Sequence, residues 1–134
     1  MQVNLAYTII PSFDGNEITE FGKKAFIRED RVLGNAHIDL AIAYATENYR
    51  RGTMISRSIW NEILLYLSMQ RQIHRSIDIL GVKNFSGKVI VVDVVSENGN
   101  KPRIEVTDSK KTFWNVSSVE MLLERMALFH LENH

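Results

Sequence analysis

The hydrophobic pattern is most regular between Arg50 and Gly81, where it predicts two consecutive helices. Apolar residues recur there at the spacing of three and four that places side chains on one face of an α-helix. The first set comprises Ile59, Trp60, Ile63, Leu64 and Leu67, and the second comprises Ile73, Ile77 and Leu80. Ser56 and Ser58 are placed to cap the first helix, and Gly81 is placed to close the second in a left-handed conformation. We therefore expect two helices with a tight joint at residues 68–71.

Two further helices are predicted, one on each side of this pair. The first begins near Ile38 and ends at Arg50-Arg51-Gly52, basic residues followed by a glycine. The last begins with a capping box, Ser117 with Glu120 three residues later. Its main apolar stripe comprises Val119, Leu122, Leu123 and Met126, and Met121 and Leu128 fall nearly opposite that stripe. Either this helix is enclosed in the core, or its second apolar face contacts a partner protein.

Strands are predicted near both ends of the chain. Gln2–Ile10 alternates apolar and polar residues and is followed by Pro11, which cannot donate to a ladder. Val89–Val95 is rich in β-branched residues and predicts a strand buried on both faces. A brief strand is expected at 31–33, and another at 102–107 after an Asn98-Gly99 turn. Residues 108–115 are expected to form a polar connection. Residues 17–26 fit no single element. The pattern favours one α+β domain over residues 1–134, a two-layer sandwich with helices on one face of a small, mainly antiparallel sheet.

Charge is unevenly distributed along a chain that is neutral as a whole. The 134 residues include 16 basic and 16 acidic side chains. The segment 50–77, however, carries five arginines, Arg50, Arg51, Arg57, Arg71 and Arg75, against the single acid Glu62. The planar guanidinium group suits phosphate and can stack on bases, so a local anion site is allowed. An ordinary solvated helical face explains the same composition equally well.

The sequence offers no catalytic constellation. There is no cysteine, and the seven glycines never form a phosphate loop. His130 and His134 have a spacing that could hold zinc on an ordered helix, but the end of a chain commonly frays. His37 is expected to be a capping or core histidine, and Asp93 to make a structural hydrogen bond. We therefore expect no enzyme activity, no cofactor and no metal. The absence of a signal-like start or an apolar run of about 20 residues predicts a cytoplasmic protein without a membrane contact.

Several motifs of the central helices and of the segment before them carry a resemblance to a known family. They are Gly34-Asn35-Ala36-His37, Glu62-Ile63-Leu64-Leu65-Tyr66-Leu67, Arg71-Gln72-Ile73, Ile77 and Gly81. In these motifs the sequence is similar to the small kinase-binding subunit of the KEOPS complex, the PRPK-binding (TPRKB) family, which also occurs in archaea. The likeness is good over roughly residues 33–95 and weaker at the two ends. Ser68-Met69-Gln70 departs from the Gly-containing turn of many archaeal relatives.

The resemblance implies a non-catalytic subunit, a monomer within a larger complex. It would bind the atypical kinase/ATPase subunit of KEOPS and recruit tRNA through the 3′ CCA end for N6-threonylcarbamoyladenosine modification. We expect tRNA to bind at the joint of the two central helices. Arg57, Arg71 and Arg75 would contact phosphates, Gln72 would bind a base edge, and Ile73 would provide an apolar contact for an unstacked base. Ile73 fits a core position equally well. We expect the kinase to contact Met121, Leu128 and Leu131 of the last helix. The alternative is a regulatory protein-interaction module without RNA binding.

Overall fold

A three-stranded antiparallel sheet forms one layer of the structure. The computed structural model describes residues 4–14, 23–96 and 99–134. In the sheet, β3 (Ser86–Val94) lies between β1 (Leu5–Asp14) and β2 (Ala25–Arg28), so both of its edges are paired. Leu5 pairs with Val94, and Ala25 pairs with Val92. The four residues 89–92 of β3 are all buried, which confirms the prediction of a strand buried on both faces.

The helices form the second layer and cover one face of the sheet. They are α1 (Gly34–Arg51), α2 (Ile59–Ser68), α3 (Ile73–Leu80), α4 (Asp108–Trp114) and α5 (Val119–Glu132). Ile90 and Val92 of β3 join the large core beneath the helices, whereas Val89 and Val91 join a small cluster on the opposite face. This alternation is the expected result of a two-residue side-chain period. The predicted α+β fold is confirmed.

α1 and α2 form an antiparallel pair at the centre of the helical layer. Buried polar groups join them at both ends. Near the end of α1, Asn48 donates to the carboxylate of Glu62 in the first turn of α2, at 3.1 Å. Near the start of α1, His37 contacts the carbonyl of Leu67 at 2.9 Å. α1 ends at Gly52, as the sequence predicts, and Gly52 adopts the left-handed conformation.

The segment after β3 differs from its prediction. Residues 102–107 form no strand, and pairing with β3 is excluded because β1 and β2 already occupy both of its edges. Instead Asn35, at the start of α1, binds this segment by donating to the carbonyl of Pro102 and accepting from the amide of Ile104. The predicted polar connection at 108–115 is a helix, α4, whose N-cap is Thr107. The predicted turn residue Asn98 lies outside the described residues.

Several element ends also differ from the prediction. β1 continues through Pro11 to Asp14, with a register shift between Ile10 and Phe13 that accommodates the proline at the sheet edge. Gly81 is extended (φ −68°, ψ 154°), and a Cβ there would lie 2.4 Å from the carbonyl oxygen of Ile77, so close packing requires the glycine.

The remaining corrections concern short elements. A strand at 25–28 followed by a 3₁₀ turn, Glu29–Arg31, replaces the strand predicted at 31–33. The N-cap of α5 is Ser118, one residue later than predicted. Residues 17–22, within the segment left unassigned by the sequence, lie outside the described part of the chain, as do residues 2 and 3 of the first predicted strand.

His37 confirms the expectation of a buried structural histidine and makes stability depend on pH. Its Nδ1 accepts from the amide of Leu33 at 2.9 Å, so Nε2 carries the proton and donates to Leu67. Burial is the main cause that lowers the pKa of His37 to about 4, from 6.5 when unfolded. The unfolded chain therefore takes up a proton more readily, and stability falls as the pH drops through the window from 6.5 to 4.

We expect this histidine to remove about 2 kcal/mol of unfolding free energy between pH 7.5 and pH 5. Urea unfolding at the two pH values measures the loss. The control is His37→Gln, whose amide can replace the hydrogen bonds but does not titrate. Equal pH-dependent losses in the wild type and in the variant would contradict the assignment to His37.

Candidate functional site

The joint between α2 and α3 is short and held by buried hydroxyl groups. The hydroxyl of Ser76 donates to the carbonyl of Leu64 at 2.6 Å, and Ser68 donates to Ser76 at 2.8 Å. Met69 closes α2 with positive φ (55°), in the left-handed region that glycine adopts most readily. A residue with a side chain thus occupies a backbone conformation that favours glycine. The predicted tight joint is confirmed, and α3 starts four residues beyond Met69, at Ile73.

A polar pocket lies between this joint and the end of α5. Its volume is about 360 Å³. The joint supplies cationic and amide groups, whereas α5 supplies an aromatic ring, a carboxylate and an amide. The lining residues are Met69, Gln70, Arg71, Gln72, Arg75, Phe129, Glu132 and Asn133. The pocket therefore brings together three of the residues predicted from the sequence to bind RNA: Arg71, Gln72 and Arg75.

The arginine side chains of the joint differ from most arginines of the protein in having no partner among the described residues. Six arginines are held by carboxylates or backbone carbonyls: Arg28, Arg31, Arg50, Arg51, Arg103 and Arg125. Within the described ranges, the side chains of Arg71 and Arg75 form no ion pair and no hydrogen bond, and both are exposed. Their guanidinium groups are therefore free to bind an anion from solution.

Arg57 does not lie at the joint, which corrects its predicted place beside Arg71 and Arg75. It precedes the first turn of α2, and the joint follows the last turn. Ten helical residues separate these ends by about 15 Å. Arg57 is also exposed and unpaired among the described residues. Any phosphate that it contacts must be some distance from those at the pocket.

Gln72 and Ile73 lie at the start of α3. Gln72 is the N-cap residue, but its side chain makes no capping hydrogen bond, and it is exposed. Its amide is therefore available to an outside group. Ile73 is half-buried and does not line the pocket. The structure thus places Ile73 between the two alternatives left open by the sequence, neither enclosed in the core nor fully exposed.

The end of α5 is anchored next to the joint by a tyrosine on α2. The Tyr66 hydroxyl lies 2.6 Å from Nδ1 of His130 and accepts from Asn48 at 2.9 Å. Burial, followed by the nearby charges of His134 and Arg51, lowers the pKa of His130. The neutral ring can therefore accept the Tyr66 proton. Tyr44 stacks on His130 with ring centroids 4.3 Å apart, which further fixes the last turn of α5.

The outer face of α5 carries a row of exposed apolar side chains. Met121 is 37% exposed, Leu128 58% and Leu131 71%. Seven residues separate Met121 from Leu128, so the two lie on the same side of the helix, and the row extends over about 15 Å. The inner face, with Leu122, Met126 and Phe129, is buried. These positions agree with the arrangement expected from the helical pattern, and nothing in the described residues covers the outer row.

The sequence did not identify five residues that line the pocket: Met69, Gln70, Phe129, Glu132 and Asn133. The last three lie about sixty residues from the joint. Their position next to the joint is fixed by the packing of α5 on the other helices, which includes the contact between Tyr66 and His130. The local pattern of α5 gives no signal for that contact, because His130 also suits an exposed helix end.

The described residues contain no group of three or more histidines and acids close enough to hold a metal ion.

Asp93, the acid within the apolar strand β3, forms an ion pair with Lys24 at 3.5 Å, so it has a structural partner. Among the residues that the structure describes, no helix has the length and apolar character needed to span a bilayer.

Comparison with known families agrees with the resemblance seen in the central helices. The family model described as kinase binding protein CGI-121 matches residues 4–127. No curated protein matches the sequence. The matched range includes the joint, all five helix starts and most of α5. The chain therefore belongs to the CGI-121 family of kinase-binding proteins.

Proposed function

We propose that this protein is a non-catalytic, cytoplasmic KEOPS subunit that recruits tRNA to the complex. It would bind the atypical kinase/ATPase subunit on one surface and the 3′ CCA end of tRNA on another. The complex would then carry out N6-threonylcarbamoyladenosine modification. Membership in a kinase-binding family supports the kinase partner. The observation that carries the RNA contact is the pair of unpartnered arginines at one pocket.

Three features of the joint suit a single-stranded RNA end. Arg71 and Arg75 offer guanidinium groups for consecutive phosphates, since neither is neutralised by a carboxylate of the described residues. Gln72 offers both an amide donor and an acceptor to a base edge. Ile73, at the same helix start, would contact a splayed base.

The kinase would contact the outer row of α5. Exposed apolar side chains on one helix face are a common feature of protein interfaces. Met121, Leu128 and Leu131 form such a row, and Leu128 lies at its centre. This surface is separate from Arg71 and Arg75, so one subunit could hold both partners at once.

We expect Leu128→Glu to weaken the complex with the kinase by about 100-fold. The substitution removes an apolar contact that contributes about 2 kcal/mol or more of binding free energy, and it places a charge where water is excluded. Because Leu128 is already 58% exposed, the free energy of unfolding should change by less than about 0.5 kcal/mol. Calorimetric titration of the two purified proteins measures the affinity, and thermal unfolding measures the stability.

The matched control is Leu122→Glu, on the buried face of the same helix. That variant should lose stability in thermal unfolding, because it places a charge in the core. Unchanged kinase affinity in a well-folded Leu128→Glu variant would place the interface elsewhere.

The second candidate is a regulatory protein-interaction module without RNA binding. The exposed row on α5 favours it, because that surface needs no RNA. Salt dependence separates the two functions. Contacts to two or three phosphates of a single strand should give a slope of about −2 for log K against log salt. Anisotropy titrations of tRNA at several salt concentrations between about 50 and 200 mM measure the slope. A slope near zero, or no binding, would favour the second candidate.

A further inference from the structure

Glu132 is an unexpected residue to find in a pocket that suits phosphate. It is the last residue of α5 and lies across the pocket from the joint. Within the described residues its carboxylate forms no ion pair, although Arg71 and Arg75 line the same pocket. The two guanidinium groups and the Glu132 carboxylate therefore do not neutralise each other. A ligand that binds to both sides of the pocket must carry an anionic group at one end and hydrogen-bond donors at the other.

The position of Glu132 is set by the fold and is not an accident of a free helix end. The Tyr66 hydroxyl lies 2.6 Å from His130, two residues before Glu132. The side-chain amide of Asn133 donates to the carbonyl of Phe129 at 2.7 Å and caps the same turn. The carboxylate is thus attached to a turn that is fixed on both sides.

A terminal ribonucleotide has the chemistry that this pocket requires. Its phosphate is anionic, and the 2′- and 3′-hydroxyls of its ribose are adjacent donors. Two hydroxyls can donate to the two oxygens of one carboxylate, and bonds to a charged acceptor are among the stronger ones. An ester on one hydroxyl removes a donor, and a 3′-phosphate would bring a second negative charge towards the carboxylate.

We propose that Glu132 binds the 2′,3′-diol of the terminal ribose, so that the pocket selects RNA with a free 3′ end over RNA with an esterified one. This inference rests on the proposed function, since it assumes that the pocket receives the 3′ end of tRNA. Arg71 and Arg75 would hold the phosphates, and Glu132 would act as the specificity-determining residue.

The test compares two tRNAs that differ only in the last nucleotide, which is either adenosine or 3′-deoxyadenosine. Affinities are measured by anisotropy with the full chain, as wild type, Glu132→Gln and Glu124→Gln. Glu124 is exposed on the same helix and does not line the pocket, so its variant removes an equal charge elsewhere. The readout is the affinity ratio of the two tRNAs, which cancels the general effect of that charge.

We expect the wild type and Glu124→Gln to bind the 3′-deoxy tRNA about 10-fold more weakly, and Glu132→Gln to show a ratio of about 2 or less. Equal wild-type affinity for the two tRNAs would overturn this inference while leaving the proposed function in place. A ratio that persists in Glu132→Gln would also overturn it. If neither tRNA binds at low salt, both the inference and the proposed function fail.

Discussion

Arg71→Glu is expected to weaken tRNA binding by about 100-fold or more. The substitution removes a charge-assisted contact of about 1.5–3 kcal/mol and adds repulsion against the same phosphate. Because Arg71 is exposed and makes no ion pair with the described residues, the melting temperature should change little. Anisotropy with intact tRNA measures the affinity, and circular dichroism measures the melting temperature.

The matched control is Arg103→Glu. Arg103 is also an exposed arginine, but it lies in the segment before α4 and pairs with Glu105 at 3.6 Å. Its reversal changes the net charge of the protein by the same amount. If both reversals weaken binding equally, the effect comes from overall charge, and the joint is not the RNA site. Arg57→Glu should have an effect closer to that of Arg103→Glu, because Arg57 lies at the far end of α2.

Glu62→Ala is expected to cost about 3 kcal/mol or more of unfolding free energy, because it leaves several hydrogen-bond donors unsatisfied. The Glu62 carboxylate is fully buried and accepts four hydrogen bonds. The donors are the side chain of Asn48, the amides of Ile55 and Ser56, and the Ser56 hydroxyl. Removing the acceptor takes away the partner of the two half-buried amides and of one hydrogen of the buried Asn48 side chain. Urea unfolding at pH 7.5 measures the loss.

Two controls separate the hydrogen bonds from the charge. Glu62→Gln keeps one oxygen acceptor in nearly the same shape and should lose less than Glu62→Ala. Glu124→Ala removes an exposed glutamate from α5 and should change the free energy by less than about 0.5 kcal/mol. A loss below about 1 kcal/mol in Glu62→Ala would show that water replaces the carboxylate, and that the start of α2 does not depend on it.

Four of the five helices were predictable because their signals are local, and α4 was not predicted. The apolar period of α2, the Ser58 cap and the left-handed Gly52 each act within one or two turns. The misplaced strands depend on partners that are distant in sequence. Residues 102–107 have a strand-like alternation, but β1 and β2 already occupy both edges of β3. Which segments take those edges is decided by the whole fold.

The same distinction applies to the candidate site. Arg71, Gln72 and Arg75 are so close in the sequence that any tight joint between the helices places them together. Arg57 was misplaced because its charge was grouped with the others along the sequence, although a complete helix lies between them. Glu132 was missed for the opposite reason. Its turn of α5 is held near the joint by contacts between residues distant in sequence, such as the one between Tyr66 and His130, and no local pattern predicts such contacts.

We propose that the joint of α2 and α3 holds the 3′ end of tRNA. Fluorescence anisotropy tests this directly, with the purified protein, intact tRNA and the same tRNA lacking its terminal CCA, both at low salt. We expect the intact tRNA to bind and removal of CCA to weaken binding by at least about 10-fold, the effect of losing one or two charge-assisted contacts. Equal affinity for the two RNAs would show that the joint does not bind the 3′ end.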